Sequence, residues 1–175
     1  MSEPADHVPY YTSAETALAA GVSADTLKNW VSRKPQVILM TQEEREEVGR
    51  GRPILFSTQR VIQVAITARL VEMGWQPRAA TMLAAGFTDV GHGESRTPDG
   101  RVVRPARDPG QLFPDGATLL VARPGVSVPS SNDVLHVTPD SPWMAVLRDE
   151  AAVVLNLNSL VQGVRLRLAE AKDAR

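Results

Sequence analysis

The chain has 175 residues, 43% of them apolar and 22% charged, with 19 Lys and Arg against 20 Asp and Glu. That is enough apolar mass for a core in one domain or two small ones, and the balanced charge excludes a whole-molecule field drawing it onto nucleic acid or an anionic membrane, so any basic site must be local. Without cysteine, disulfides, thiolate metal centres and cysteine nucleophiles are excluded together.

Residues 1–11 are acidic and Pro-bearing, with neither the basic head nor the apolar stretch of a signal peptide, and read as a flexible tail. The longest apolar segment, 61–73, is interrupted by Gln63, Arg69 and Glu72, well short of the roughly 20 apolar residues of a membrane span. A cytoplasmic location follows as an expectation. No Gly-Lys-Ser/Thr loop is present, and Gly49/Gly51 and Gly91/Gly93 lack a third glycine, so nothing supports nucleotide binding.

Residues 12–33 predict two short helices. Thr12 or Ser13 caps the first, Ala14, Ala17 and Leu18 share one of its faces, and Gly21 ends it by taking the left-handed conformation. Ser23 caps the second, which directs Leu27, Trp30 and Val31 at the first and leaves Thr26, Lys28, Asn29 and Arg33 exposed. Two helices joined by a glycine turn, the second with a polar outer face, form either a helix-turn-helix that reads a major groove or an ordinary α-hairpin. Residues 37–56 then predict a two-stranded wing, 37–40 against 53–56, tipped by Gly49-Arg50-Gly51-Arg52. Arginines on glycine hinges suit a phosphate backbone, with a solvated turn as the alternative. Glu43, Glu44, Glu46 and Glu47 must then point away from DNA, on a short helix capped by Thr41.

Ser57 caps a helix over 58–73 with a core stripe of Ile62, Ala65, Ile66, Leu70 and Met73, while Gln59, Arg60, Gln63 and Thr67 stay polar. Pro77 opens a further helix that ends at Gly86. The order of these features, with Gly21-Val22-Ser23-x-x-Thr26-Leu27-Lys28-x-Trp30, Phe56-Ser57 and Leu70-x-x-x-Gly74-Trp75, resembles the winged helix-turn-helix of the MerR family of bacterial transcription regulators. The resemblance covers about residues 11–88; excisionase-type modules share its first part. It implies homodimers on inverted repeats, the second helix in the major groove and the wing on flanking phosphates. Lys28 then stands where the family has a phosphate-binding Arg, Trp30 where it has an aromatic, and Arg50 and Arg52 at the wing basics. The chain departs from the family in its longer, acidic wing and in lacking a long coiled-coil helix after residue 88.

Residues 91–116 are rich in Gly, Pro and Arg and read as a linker, followed by predicted strands at 118–122, 134–137 and 151–155. The chain closes on an amphipathic helix of about three turns, capped by Asn156 or Asn158, with the stripe Leu157, Leu160, Val161, Val164 and Leu168. That stripe packs on its own sheet or pairs with a second subunit. Ser95, Ser130, Ser131, His92, His136, Asp133 and Asp140 form no nucleophile elbow, and three separated histidines give no metal spacing.

The expectation is therefore an α+β chain with four parts: tail 1–11, winged helix-turn-helix 12–90, linker 91–116, and a small β-plus-helix dimerisation or sensing domain 117–175. The expected function is a non-enzymatic, cofactor-free and metal-free regulator that binds double-stranded DNA as a homodimer. Its contacts are Thr12, Ser13, Ser23, Thr26, Lys28, Asn29, Arg33, Lys34, Arg50 and Arg52, with recognition helix 23–33 and wing 37–56. A protein-interaction adaptor or an excisionase-like architectural protein is the alternative.

Overall fold

Local capping signals set where the N-terminal helices begin. In the computed structural model, which describes residues 8, 10–38, 40, 54–123, 125, 129–141 and 152–173, a short strand β1 (Tyr11–Thr12) leads into helix α1 (Ser13–Ala20). Thr12 Oγ1 accepts from the Glu15 backbone N–H while Glu15 Oε2 accepts from the Thr12 N–H at 2.8 Å, a reciprocal capping box. Gly21 ends α1 at φ 73°, a conformation that costs a residue with a Cβ roughly 1–2 kcal/mol. Ser23 Oγ then accepts from the Thr26 N–H at 3.0 Å and starts α2 (Ala24–Ser32), which buries Leu27, Trp30 and Val31 as expected.

The wing does not form as expected among the described residues. Strand β2 (Leu55–Phe56) pairs antiparallel with β1, Tyr11 opposite Phe56, while the Val37 and Ile38 N–H groups both donate to the Trp30 carbonyl. Tyr11 and Phe56 are both buried, so pairing them closes the core at the start of α1, and 37–38 instead satisfies the open end of α2. Residues 41–53, which hold Thr41, the glutamate run, Arg50 and Arg52, lie outside the described residues.

Ser57 caps α3 (Thr58–Glu72) by accepting from the Arg60 N–H at 3.2 Å. This helix is the axis of the molecule. Its surroundings overturn the one-stripe reading: Arg60, Gln63 and Thr67 are buried, whereas Met73, expected in the core, is 52% exposed. Helices α1, α4 (Pro77–Thr88) and the C-terminal α5 (Leu157–Asp173) all pack on α3, so it has no solvent side along most of its length. Its polar side chains are satisfied toward α4. Arg60 pairs with Asp89 at 2.9 Å and donates to Gln63 Oε1 at 2.9 Å, Gln63 donates to Asp89 at 3.2 Å, and the Thr67 and Thr81 hydroxyls lie 3.3 Å apart. Helix α4 runs through Gly86 to Thr88 because that glycine serves approach rather than termination: a Cβ there would sit 2.5 Å from the Ser130 carbonyl oxygen.

The segment 91–116 is folded onto the molecule. Strands β3 (Ser95–Arg96) and β4 (Val102–Arg104) form a hairpin, and His92 and Arg107 pair through their backbones. Arg107 is buried beneath it. Its guanidinium donates to the carbonyls of Phe87, Asp108 and Gln111 at 2.9, 3.0 and 3.2 Å, and also reaches those of Gly86 and Val90. The C-terminal turn of α4 has carbonyls without helical partners and the negative end of the helix dipole, and this arginine answers both.

Three further strands, β5 (Ala117–Ala122), β6 (Val134–Val137) and β7 (Val153–Asn156), form an antiparallel sheet in the order β6–β5–β7. Leu120, Ala122, Val134 and Leu155 join the helical core, while Leu119, Val121 and Val137 cluster on the opposite face. Asn156 caps α5 by accepting from the Ser159 N–H at 3.3 Å, and Asn158 Oδ1 accepts from the Thr118 N–H at 2.7 Å, tying helix to sheet.

Helix α5 spans 17 residues, not the three turns expected. Its stripe of Leu157, Val161, Val164 and Leu168 is buried, with Leu160 half-buried beside it, and one connected core runs from Tyr11 to Leu168. The change near residue 90 is thus a change of secondary structure and not of core, and the stripe, for which the sequence leaves packing within the chain and pairing with a second subunit both open, is covered by α1 and α3 of its own chain. Each fully buried aliphatic side chain is worth about 1.5–3 kcal/mol, which favours closing the stripe intramolecularly. Among the described residues, no helix is long and apolar enough to cross a membrane.

Candidate nucleic-acid interface

Helix α2 stands at the edge of the molecule because only one side of it has anything to bury. Leu27, Trp30 and Val31 take that side, and the 3.6-residue period puts Asp25, Lys28, Asn29 and Ser32 on the other, continued by Arg33 and Lys34. All six are exposed. Of the predicted contacts, Lys28 and Asn29 therefore share the outer face of the helix, and Arg33 and Lys34 are exposed just past its end. Thr26 is half-buried and spends its hydroxyl on Ser23 Oγ at 2.8 Å, and Thr12 is committed to the α1 capping box, so these three serve first as helix ends. Ser13 is exposed at the start of α1.

Beside this face runs an apolar groove of about 680 Å³ between α1, α2 and β2, lined by Ser13, Leu27, Lys28, Val31, Met40 and Phe56. Sequence reading missed it. The nearest signal was the spread of large apolar residues at Met40, Ile54 and Phe56 on both sides of the charged 41–53 stretch.

Three of the residues considered for catalysis have separate partners. Asp133 pairs with Arg123 at 2.9 Å, Ser130 Oγ accepts from the Asn132 N–H at 3.1 Å, and His136 Nε2 meets Asp115 Oδ1 at 3.1 Å. His92 packs on the Phe113 ring, centroids 5.2 Å apart, with both ring nitrogens buried and unpartnered among the described residues. Burial, reinforced by Arg104 and Arg107, pushes its pKa down from 6.5 to about 4, so the ring is neutral at pH 7. Burial, and secondarily Arg104, also lowers Arg107, to about 10, still a cation at neutral pH. Among the described residues no group of His, Asp and Glu is arranged to hold a metal.

The lowered His92 value carries a stability prediction. The unfolded chain takes up this proton near pH 6.5 and the folded chain only near 4, so the contribution is complete above about pH 6.5 and is lost progressively down to about 4. The urea midpoint of His92→Phe should fall less steeply than that of the parent through this window. Parallel curves would contradict the buried neutral imidazole.

No protein-family model matches this chain, and no curated protein is significantly similar to it.

Proposed function

We propose that this chain is a sequence-specific DNA-binding regulator whose α1–Gly21–α2 unit is a helix-turn-helix, with α2 lying in the major groove. The observation that supports this best is that Lys28 and Asn29 stand on the exposed face of a helix whose other face is anchored by Leu27, Trp30 and Val31, with Arg33 and Lys34 exposed directly beyond its C-terminal end. Asn and Lys are side chains that read adenine and guanine edges, and the flanking cations suit phosphates. The resemblance to MerR-type regulators supports the same reading, with Arg50 and Arg52 as additional phosphate contacts. Two copies on an inverted repeat would meet through a surface other than the 157–168 stripe, which is spent in the core. The proposal calls for neither a cofactor nor an enzymatic step and has the chain act in the cytoplasm.

Fluorescence anisotropy with labelled duplexes tests the proposal. Lys28→Ala with Arg33→Ala should leave the circular dichroism spectrum unchanged, since both side chains are exposed. Affinity for the best duplex should fall by about 1–3 kcal/mol per lost base contact. Unchanged affinity would remove α2 from the interface. The apolar groove beside α2 favours a second reading, a protein-interaction adaptor. The two part on salt, because log affinity for DNA falls linearly with log salt concentration and a peptide held by apolar contacts does not behave so.

A further inference from the structure

The β3–β4 hairpin stands over the edge of the β5–β6 sheet and leaves a cleft of about 480 Å³, within the roughly 300–1,000 Å³ of small-ligand sites. One wall carries Arg101, Val102 and Val103, the other Asp115, His136 and Asp140. The walls bear opposite charge.

The acidic wall is built rigidly. His136 Nε2 lies 3.0 Å from the Asp115 carbonyl oxygen and 3.1 Å from its carboxylate Oδ1, and the imidazole is braced by Phe113 at 4.8 Å between centroids. Gly116 permits this approach at φ 68°; a Cβ there would lie 2.5 Å from the Val137 carbonyl oxygen and 3.1 Å from His136 Nε2. Asp115, 72% exposed, is fixed at one oxygen and open at the other. On the opposite wall, the backbone of Arg101 is fastened by its carbonyl, which accepts from the Thr97 N–H at 2.9 Å and the Thr97 hydroxyl at 3.1 Å. Arg96, on the same hairpin, is consumed by Glu94 and the Gly100 carbonyl. The side chains of Arg101 and Asp140 have no ion pair or hydrogen bond among the described residues. Thr138 and Ser141, by contrast, satisfy each other, their hydroxyls 3.2 Å apart.

A cleft that presents an uncommitted guanidinium on one side and carboxylates on the other, and does not pair them, suits a ligand carrying both charges. Val102 and Val103, 40% and 62% exposed, add an apolar surface along the same wall as the guanidinium. We propose that this cleft binds a small zwitterion with an apolar side chain, an amino acid or dipeptide. Its carboxylate would sit on Arg101 and its ammonium between Asp115 and Asp140. Arginine holds a carboxylate through two parallel N–H···O bonds, which fixes orientation as well as charge. The proposal is independent of DNA binding, and its test reads ligand binding alone.

Isothermal titration and ¹⁵N-resolved chemical shifts on the full chain, with L-leucine and L-leucyl-L-leucine as probes, decide it. At least one of the two should bind with a dissociation constant below 1 mM, on the order of −4.1 kcal/mol, and shift the amides of 101–103 and 136. The tighter of the two reports the spacing of the charges. N-acetyl-leucine, leucinamide, Arg101→Ala and Asp140→Asn should each weaken binding at least tenfold. Arg101 and Asp140 are exposed, so both variants should keep the parent spectrum. Dissociation constants above 1 mM for both probes, equal binding of the blocked analogues, or undiminished binding by either variant would overturn the proposal.

Discussion

Val164→Glu should unfold the whole chain in a single transition. Val164 is fully buried, on the face of α5 turned into the shared core. The substitution forfeits the burial of the valine, about 1.5–3 kcal/mol, and adds a carboxyl group that must be desolvated without a partner or force the helix away. The sum exceeds about 4 kcal/mol, a large share of the roughly 5–15 kcal/mol that holds a domain of this kind together. Because α1, α3 and α5 contribute to one core, the helical signal of 13–88 should be lost together with that of the sheet. Thermal melts followed by far-ultraviolet circular dichroism and by tryptophan fluorescence check this. Two separate transitions, with the N-terminal helices surviving, would mean that the halves fold independently.

Arg107→Leu should cost about 3–5 kcal/mol. The guanidinium is the donor for carbonyls of Gly86, Phe87, Val90, Asp108 and Gln111, and its Cζ lies 4.9 Å from the centroid of the Phe87 ring. Leucine fills part of the volume but removes the donor of the Gly86, Val90 and Gln111 carbonyls, while those of Phe87 and Asp108 keep the Gly110 and Gln111 N–H groups; the loss is about 1–3 kcal/mol for each acceptor that neither another donor nor water reaches. Arg107→Lys should recover only part of the loss, because an ammonium is a compact donor and cannot span the fork of carbonyls. Urea denaturation of the three proteins ranks them parent, lysine, leucine. Equal stability of leucine variant and parent would show that 91–116 is not held to α4 by this residue.

These two residues also mark where sequence reasoning stops. Thr12, Gly21, Ser23, Ser57 and Pro77 act within a few residues of themselves, so helix starts and the α1–α2 turn were legible from local chemistry. The role of α5 was not, because an apolar stripe has the same period whether it faces its own chain or a second copy. Arg60 and Gln63 look like surface residues until Asp89, at the far end of α4, is brought beside them. Arg107 sits among prolines and glycines, where composition reads as linker, and only the unsatisfied end of a helix, whose Phe87 and Gly86 carbonyls lie 20 and 21 residues back in the chain, gives it a function. The exposed cations of α2 were legible, since their amphipathic spacing needs no tertiary information. The cleft was not, because Arg101 and Asp115 meet only through the hairpin.

The proposal of DNA recognition is tested most directly by selecting bound duplexes from a random-sequence pool with the intact chain, in parallel with the Lys28→Ala, Arg33→Ala double variant. A helix-turn-helix working through α2 should enrich a defined motif, arranged as an inverted repeat if two copies bind together, and the variant should lose that enrichment. A pool that stays random through successive rounds, or one enriched equally by the variant, would contradict the assignment of this face to DNA.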